Sequence, residues 1–425
     1  MTQLSEVLSE QNPWWRGESL PPYKDRELLA SLQKYLPLRP AVALTGLRRV
    51  GKTTLLWKIA EDAIAGGLDP DRVVYFSFDD HRDATLRDVV RAYEEATGHA
   101  LGDARTLVLL DEIQKVDRWD EQLKAIYDRP GRRVKFVISG SESLFIRARS
   151  RATLAGRLFE FRVDPLNFRE YLRFTGQAFD PPGVHESALR RALPAFVRTL
   201  GFPELVGVDD AGVVRKYVQE GIVEKVIYRD LAGLFRLRDV TTLEALIRLL
   251  MAEPGHMLDL AATAGELGIT RQTLSAYLGY LEKSFLMLKL YNFSTGRRKV
   301  ERKLKKYYPA VVDTDLLYRR DTEARGRVLE WLVVTQLRAE YFWRDAAKNE
   351  VDIVLGDRVP EPIEVKSSHV DLSGLQAFLR RSKALRATLV TWDRAEEPIP
   401  VEGRRVSVTP AHRFLLEHPR PEERG

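Results

Sequence analysis

Apolar runs that end abruptly in glycine or a carboxylate punctuate the first half of the chain. AVALTG (residues 41–46), RVVYFSFDD (72–80), TLVLLDE (106–112) and VKFVISGS (134–141) show almost no polar alternation. Strands of a parallel sheet covered on both faces read this way. Helical patterns lie between them, the clearest from Lys52 to Ala65, closed by Gly66-Gly67. Alternation of strand and helix predicts an α/β domain. From about Arg157 to Glu253 the pattern turns mostly helical, with LPAFVRTLGFPEL and VRKYVQEGIVEKVIYRDLAGLF as amphipathic segments. Short helices and two strand-like runs fill Leu258 to about Arg320. An αβ pattern then resumes after Arg325 and lasts until about Trp392, and VEGRRVSVTP supplies one last strand.

Composition narrows the class. A length of 425 residues implies two or three domains, and 44% apolar with 30% charged residues describes a folded chain rather than a disordered one. No apolar run reaches the roughly 18–20 residues that cross a bilayer, and the N-terminus lacks the basic start and apolar core of a signal peptide. The absence of Cys excludes disulfides, Cys-based zinc sites and a thiol nucleophile, and fits a cytoplasmic protein. A net charge of +6 leans only weakly toward an anionic partner. The local run RRKVERKLKK, from Arg297 to Lys306, is more pointed, with seven basic residues and one acid.

The strongest chemical signal follows the first strand. GLRRVGKT matches G-x-x-x-x-G-K-[ST] in full, directly after a strand and opening a helix. Gly46 and Gly51 let the backbone turn its N–H groups toward a polyphosphate at the positive end of the helix. Lys52 can reach the β- and γ-phosphates, and Thr53 can offer its hydroxyl to Mg²⁺. Arg48, Val50 and Thr54 complete the candidate ATP-binding loop. LVLLDEIQ brings Asp111 to the edge of the sheet where ligands bind, to hold Mg²⁺ through water. Glu112 beside it is the candidate base for the attacking water, so that the pair points to hydrolysis. Ser139 and Ser141, on the neighbouring strand, are candidate γ-phosphate sensors. Arg157, after a glycine, is a candidate arginine finger, acting on its own nucleotide or on that of a neighbouring subunit in a homo-oligomer.

NPWWRG, GLRRVGKTTLL, YFSFDD, LVLLDEIQ, ISGSESL, LAGR and PLNFREYL occur in the order that resembles the AAA-type ATPases of archaea and bacteria whose C-terminal region is of the DUF4143 type. The resemblance covers nearly the whole chain. It implies an α/β fold: an ASCE/AAA-type P-loop ATPase core with a helical lid, a winged helix and a restriction-endonuclease-like C-terminal domain. The corresponding boundaries are 1–165, 166–253, 254–322 and 323–425. LGFPE (200–204) stands where that family has a GGFPE-like turn.

Within the third segment, MLDLAATAGELGITRQTLSAYLGYLEKSFLMLKL has the rhythm of a helix-turn-helix. Thr270 would cap a second helix whose Arg271, Gln272, Thr273, Ser275 and Tyr277 form a polar face suited to a major groove. LMLKLYNF and KKYYPAVVD read as the two strands of a wing, with Arg297, Arg298 and Lys299 near its tip, where phosphates of DNA would lie. In the fourth segment a helix carries Glu330, and two following strands carry Asp352 and Glu364-x-Lys366, with Gln376 on the next helix. Two carboxylates holding Mg²⁺ or Mn²⁺ beside a lysine suit phosphodiester hydrolysis, and the set resembles the PD-(D/E)XK nucleases. The expectation is a DNA-processing ATPase with nuclease capacity. Its alternatives are a regulatory NTPase switch that docks a protein, and a non-cleaving remodeller of branched DNA.

Overall fold

The computed structural model describes residues 3–81, 83–129, 131, 133–140, 153–232, 239–294, 304–356, 359–367 and 371–420. The chain divides into two compact units, Met1–Asp164 and Pro165–Gly425.

In the first unit, strands β1 (Ala41–Thr45), β2 (Val73–Ser77), β3 (Thr106–Asp111), β4 (Val134–Gly140) and β5 (Leu158–Arg162) form one sheet in the order β2-β3-β4-β1-β5. All neighbours are parallel. Their apolar runs are buried on both faces, as the unalternating sequence requires: every residue of β1 and β3 is buried. β4 lies between β1 and β3, so the Gly-rich loop after β1 and the two carboxylates after β3 flank the end of one inserted strand. β5 stands at the start of the stretch from Arg157 that otherwise reads as mostly helical. LFEFR pairs with β1 along its length but exposes one side at the sheet edge, so its apolar signal is diluted.

The opposite edge, β2, is closed by side chains rather than by another strand. Asn12 donates to Tyr75 O at 2.8 Å and accepts from Tyr75 N at 2.7 Å. Gln11 Oε1 accepts from Ser77 N at 2.8 Å, and Trp14 and Trp15 both donate their indole N–H to Val73 O at 2.9 Å. The NPWW segment thus satisfies edge groups that would otherwise invite a foreign strand.

The second unit opens with helices Phe168–Phe174 and Glu186–Arg198, and two π-helical turns (Tyr217–Val223 and Lys225–Leu231) follow. In LGFPE, Leu200 has a φ of 51° and Gly201 one of 76°, so the leucine takes a left-handed conformation usually left to glycine. Helices Val240–Ala252, Leu260–Glu266 and Arg271–Lys283 come next, their N-termini capped by Asp239, Asp259 and Thr270. The last leads into the antiparallel pair β6 (Met287–Asn292) and β7 (Lys305–Pro309), joined by a bridge from Tyr307 to His256.

β6 also pairs in parallel with β8 (Tyr341–Arg344), which pairs with β9 (Glu350–Val351). The boundary expected at residue 322 therefore runs through a continuous sheet: the hairpin is hydrogen-bonded into the segment that follows it. β10 (Ile353–Leu355), β11 (Glu361–Lys366), β12 (Ala387–Thr391), β13 (Glu396–Val401) and β14 (Arg404–Pro410) make the last sheet, ordered β10-β11-β12-β14-β13 with a parallel centre. The tail supplies two strands and the helix Ala411–Glu417, not one strand. Gly374 sits so close to β9 that a Cβ there would lie 1.8 Å from Glu350 O, which fixes glycine at the start of helix Ser373–Arg381.

Candidate functional sites

Two clusters of chemistry-bearing residues stand out, one in each unit. In the first, the loop after β1 turns into helix Lys52–Ala65 through Gly46 and Gly51, whose φ values are 145° and 95°. Gly46 has no room for a side chain, because a Cβ would lie 2.1 Å from Val163 O. Arg26 braces the loop from the N-terminal segment, donating to Val50 O at 2.6 Å and to Asp164 O at 2.7 Å. Lys52 is buried and donates to the carbonyls of Gly46 and Leu47 at 2.9 and 2.8 Å. Val50 is buried under the loop, Arg48 is half-buried, and Thr54 faces outward on the helix.

Thr53 donates its hydroxyl to Asp111 Oδ2 at 2.6 Å. Ser139 donates to Asp111 Oδ1 from the adjacent β4. Tyr75 donates to Asp111 Oδ2 at 3.1 Å, and burial beside that carboxylate pushes its phenol well above the usual range. Glu112 follows with a φ of 54°, an uncommon conformation for a non-glycine residue, and Gln114 holds its Oε2 at 2.6 Å. A threonine hydroxyl and a carboxylate this close, below a glycine loop and a buried lysine, fit a magnesium-bound triphosphate. Tyr75, Arg26 and Gln114 were not expected. Only Tyr75 had a signal, its place in the strand next to β3.

Arg157 lies elsewhere. It precedes β5, at the sheet edge opposite the glycine loop, and pairs with Asp128 at 2.9 Å. Five residues of parallel strand, roughly 16 Å, separate the two edges. Arg157 therefore does not reach the loop of its own chain. Ser141 lies outside the described residues.

The second cluster surrounds β11. Helix Thr322–Leu337 contributes Glu330, the β9–β10 junction Asp352, and β11 Glu364 and Lys366, so that the four residues expected together are together. Two unexpected residues join them: Glu350 from β9 and Lys306 from β7. The Lys306 ammonium lies 2.9 Å from Glu330, 2.6 Å from Glu350 and 3.6 Å from Asp352. Lys366 lies 2.6 Å from Glu364, and Arg344 3.3 Å from Glu350. Asp352 also accepts from Val365 N at 2.9 Å.

Burial, then the charge of Glu330, pushes Asp352 up to about 6. Burial and Asp352 hold Glu364 well above the usual carboxylate range. Burial alone would raise Glu330 as well, but Lys306 outweighs it and holds Glu330 below its ordinary value.

The metal site expected at Asp352 and Glu364 does not fit this arrangement. Their carboxylates face lysine ammonium groups, and among the described residues no trio of His, Cys, Asp or Glu is disposed to hold a metal. Gln376 is exposed on helix Ser373–Arg381.

At the start of helix Arg271–Lys283, Arg271 and Gln272 are exposed, and Thr273 bonds through its N–H to the Thr270 hydroxyl at 3.1 Å. Tyr277 is not on that polar face. It is buried, with its hydroxyl on Asp239 O at 3.0 Å. Arg297, Arg298 and Lys299 lie outside the described residues. Lys306, counted above with the basic run, is buried rather than solvated.

The parallel sheet, glycine loop and Asp111-Glu112 edge define an AAA-type P-loop ATPase core, and residues 38–172 match the AAA domain family. Residues 196–320 match a domain of unknown function, DUF8612, where the sequence had suggested the DUF4143 type. The chain is 30% identical to the uncharacterized protein MJ1637 of Methanocaldococcus jannaschii over 70% of its own length and 67% of the relative's, and it belongs to that protein's family. It is 26% identical to MJ1544 of the same organism, across 70% of this chain and 66% of that one. It thus spans about two thirds of the length of these relatives. A solved structure, Cdc6p from Pyrobaculum aerophilum, aligns over 75% of this chain and 97% of its own with 15% identity and a TM-score of 0.29, too distant to bear on function. No described helix is long and apolar enough to cross a membrane.

Proposed function

We propose that the protein hydrolyses ATP at the loop Gly46–Thr53 and uses the cycle to act on DNA held by its second unit. The observation that carries the first half is the junction at Asp111, where Thr53, Ser139 and Tyr75 converge on one carboxylate beside Glu112. Lys52 leaves the loop carbonyls to bind the β- and γ-phosphates. Thr53 and Asp111 would hold magnesium, which would supply neutralising charge to the phosphate oxygens. Glu112 orients the attacking water and takes its proton, and Ser139 reads whether the γ-phosphate is present. Arg157, remote from its own loop, serves the nucleotide of a neighbouring copy in a homo-oligomer.

Support for DNA comes from helix Arg271–Lys283 and the β6–β7 hairpin, the element order of a winged helix. Arg271, Gln272 and Thr273 sit at the helix start, which in such a unit would read base edges, and the basic Arg297, Arg298 and Lys299 fall between β6 and β7 in the sequence. The carboxylates around β11 include those that the sequence assigns to a nuclease-like set, but the lysines on them favour a remodeller that does not cut strands over a nuclease.

The test is ATP turnover with no DNA and with single-stranded, duplex and branched DNA, beside a cleavage gel containing Mg²⁺ or Mn²⁺. Turnover raised by DNA with intact strands is the expected result. Turnover indifferent to DNA that does not bind would leave a regulatory switch with a protein partner. Metal-dependent scission lost in Asp352→Ala would restore the nuclease.

A further inference from the structure

β7 places Lys306 and Tyr308 on one face, two residues apart, and both point into the carboxylate cluster rather than into solvent. Lys306 is only 4% exposed, and its ammonium is shared among Glu330, Glu350 and Asp352 at 2.6–3.6 Å. Tyr308 donates to Glu330 as well, and the lysine also lies 5.6 Å from the centre of the Phe342 ring. Three acids from three elements close around one buried cation at the distances of N–H···O contacts, and in that spacing no trio among the described residues is placed to hold a metal. An Mg²⁺–oxygen bond is about 2.0–2.1 Å. We propose that Lys306 is the resident cation of this site, a strand-borne ammonium that takes the place of a divalent metal and keeps the acids from binding one.

The counting of charge agrees. Glu330, Glu350, Asp352 and Glu364 face Lys306, Lys366 and Arg344, so an added divalent ion would leave the cluster with excess positive charge. Glu364 Oε2 is buried with no hydrogen-bond partner and is the acceptor a metal would use once Lys306 is gone. The plug comes from the hairpin that is itself hydrogen-bonded to β8, so the segment proposed to meet DNA also locks the cluster. The inference builds on the nuclease-like layout but not on ATP hydrolysis or on DNA binding.

The experiment counts Mn²⁺ bound to full-length protein without nucleotide, from the spectrum of the free aqueous ion. Wild type and Asp352→Asn should give the same isotherm. Lys306→Met should bind one further Mn²⁺, about tenfold or more tighter than any wild-type site, and lose it in the double variant with Asp352→Asn. Should Lys306→Met fold poorly, Lys306→Gln, which keeps a polar group among the acids without the charge, should gain the same ion. If neither variant binds more Mn²⁺ than wild type, Lys306 does not stand in for a metal. A wild-type site lost in Asp352→Asn would overturn the proposal from the other side.

Discussion

Replacing Gly46 by Ala tests whether the loop after β1 is held in its phosphate-binding shape by close backbone contact. The new Cβ would lie 2.1 Å from Val163 O. A carbon and a carbonyl oxygen rest no closer than about 3.3 Å, so loop and strand must part by about 1.2 Å. The neighbouring Val163 is itself tied to β1, its N–H donating to Thr45 O at 2.7 Å, so the loop is the element that yields. Alanine at a φ of 145° adds backbone strain of order 1–3 kcal/mol, and the forced contact adds a similar amount. Movement on this scale turns the loop N–H groups away from a triphosphate, and losing about 2.7 kcal/mol of binding weakens affinity about 100-fold. Titration with a fluorescent ATP analogue should show that loss, with a melting temperature lower by roughly 5 °C. Affinity within about threefold of wild type, with unchanged melting, would refute the reasoning.

Other predictions follow from single contacts. Lys135 donates to the carbonyls of Tyr35, Leu38 and Pro40 at 2.9, 2.8 and 2.6 Å, so Lys135→Met strands three acceptors. It should cost about 2–3 kcal/mol in a urea titration, and unchanged stability would show these bonds to be incidental. Arg271→Ala should cost about 1–3 kcal/mol of DNA affinity and relax sequence preference; wild-type affinity and preference would remove Arg271 from the interface. Arg157→Ala and Glu112→Gln should each be inactive alone, yet regain turnover when mixed, since a hybrid interface pairs an intact Glu112 with an intact Arg157. No recovery on mixing would rule out action between subunits.

The ATP site was legible because its strands are uninterrupted apolar runs, and because glycine, lysine and paired acids fall where those runs stop. Tyr277 was misjudged because its hydroxyl drew it to the polar face. Helical spacing sets it beside Leu274, Leu278 and Leu281, all buried. β5 escaped because an edge strand with one exposed side loses the continuous apolar signal of its neighbours. Lys306 escaped for a different reason. It ends a run of basic residues, which ordinarily face water, and its three partners come from helix and strands far along the chain. Only the alternation of β7 hinted that Lys306 and Tyr308 share a face, and no local pattern says what that face meets. Arg26 is equally silent in sequence, because carbonyl groups leave no residue signature.

In the proposed mechanism Glu112 serves hydrolysis while Lys52 and the glycine loop serve binding, and Glu112→Gln separates the two. The variant should bind ATP with wild-type affinity and turn it over at least about 100-fold more slowly, whereas Lys52→Ala should lose binding itself. Undiminished turnover by Glu112→Gln, measured as phosphate release at saturating ATP, would contradict the account.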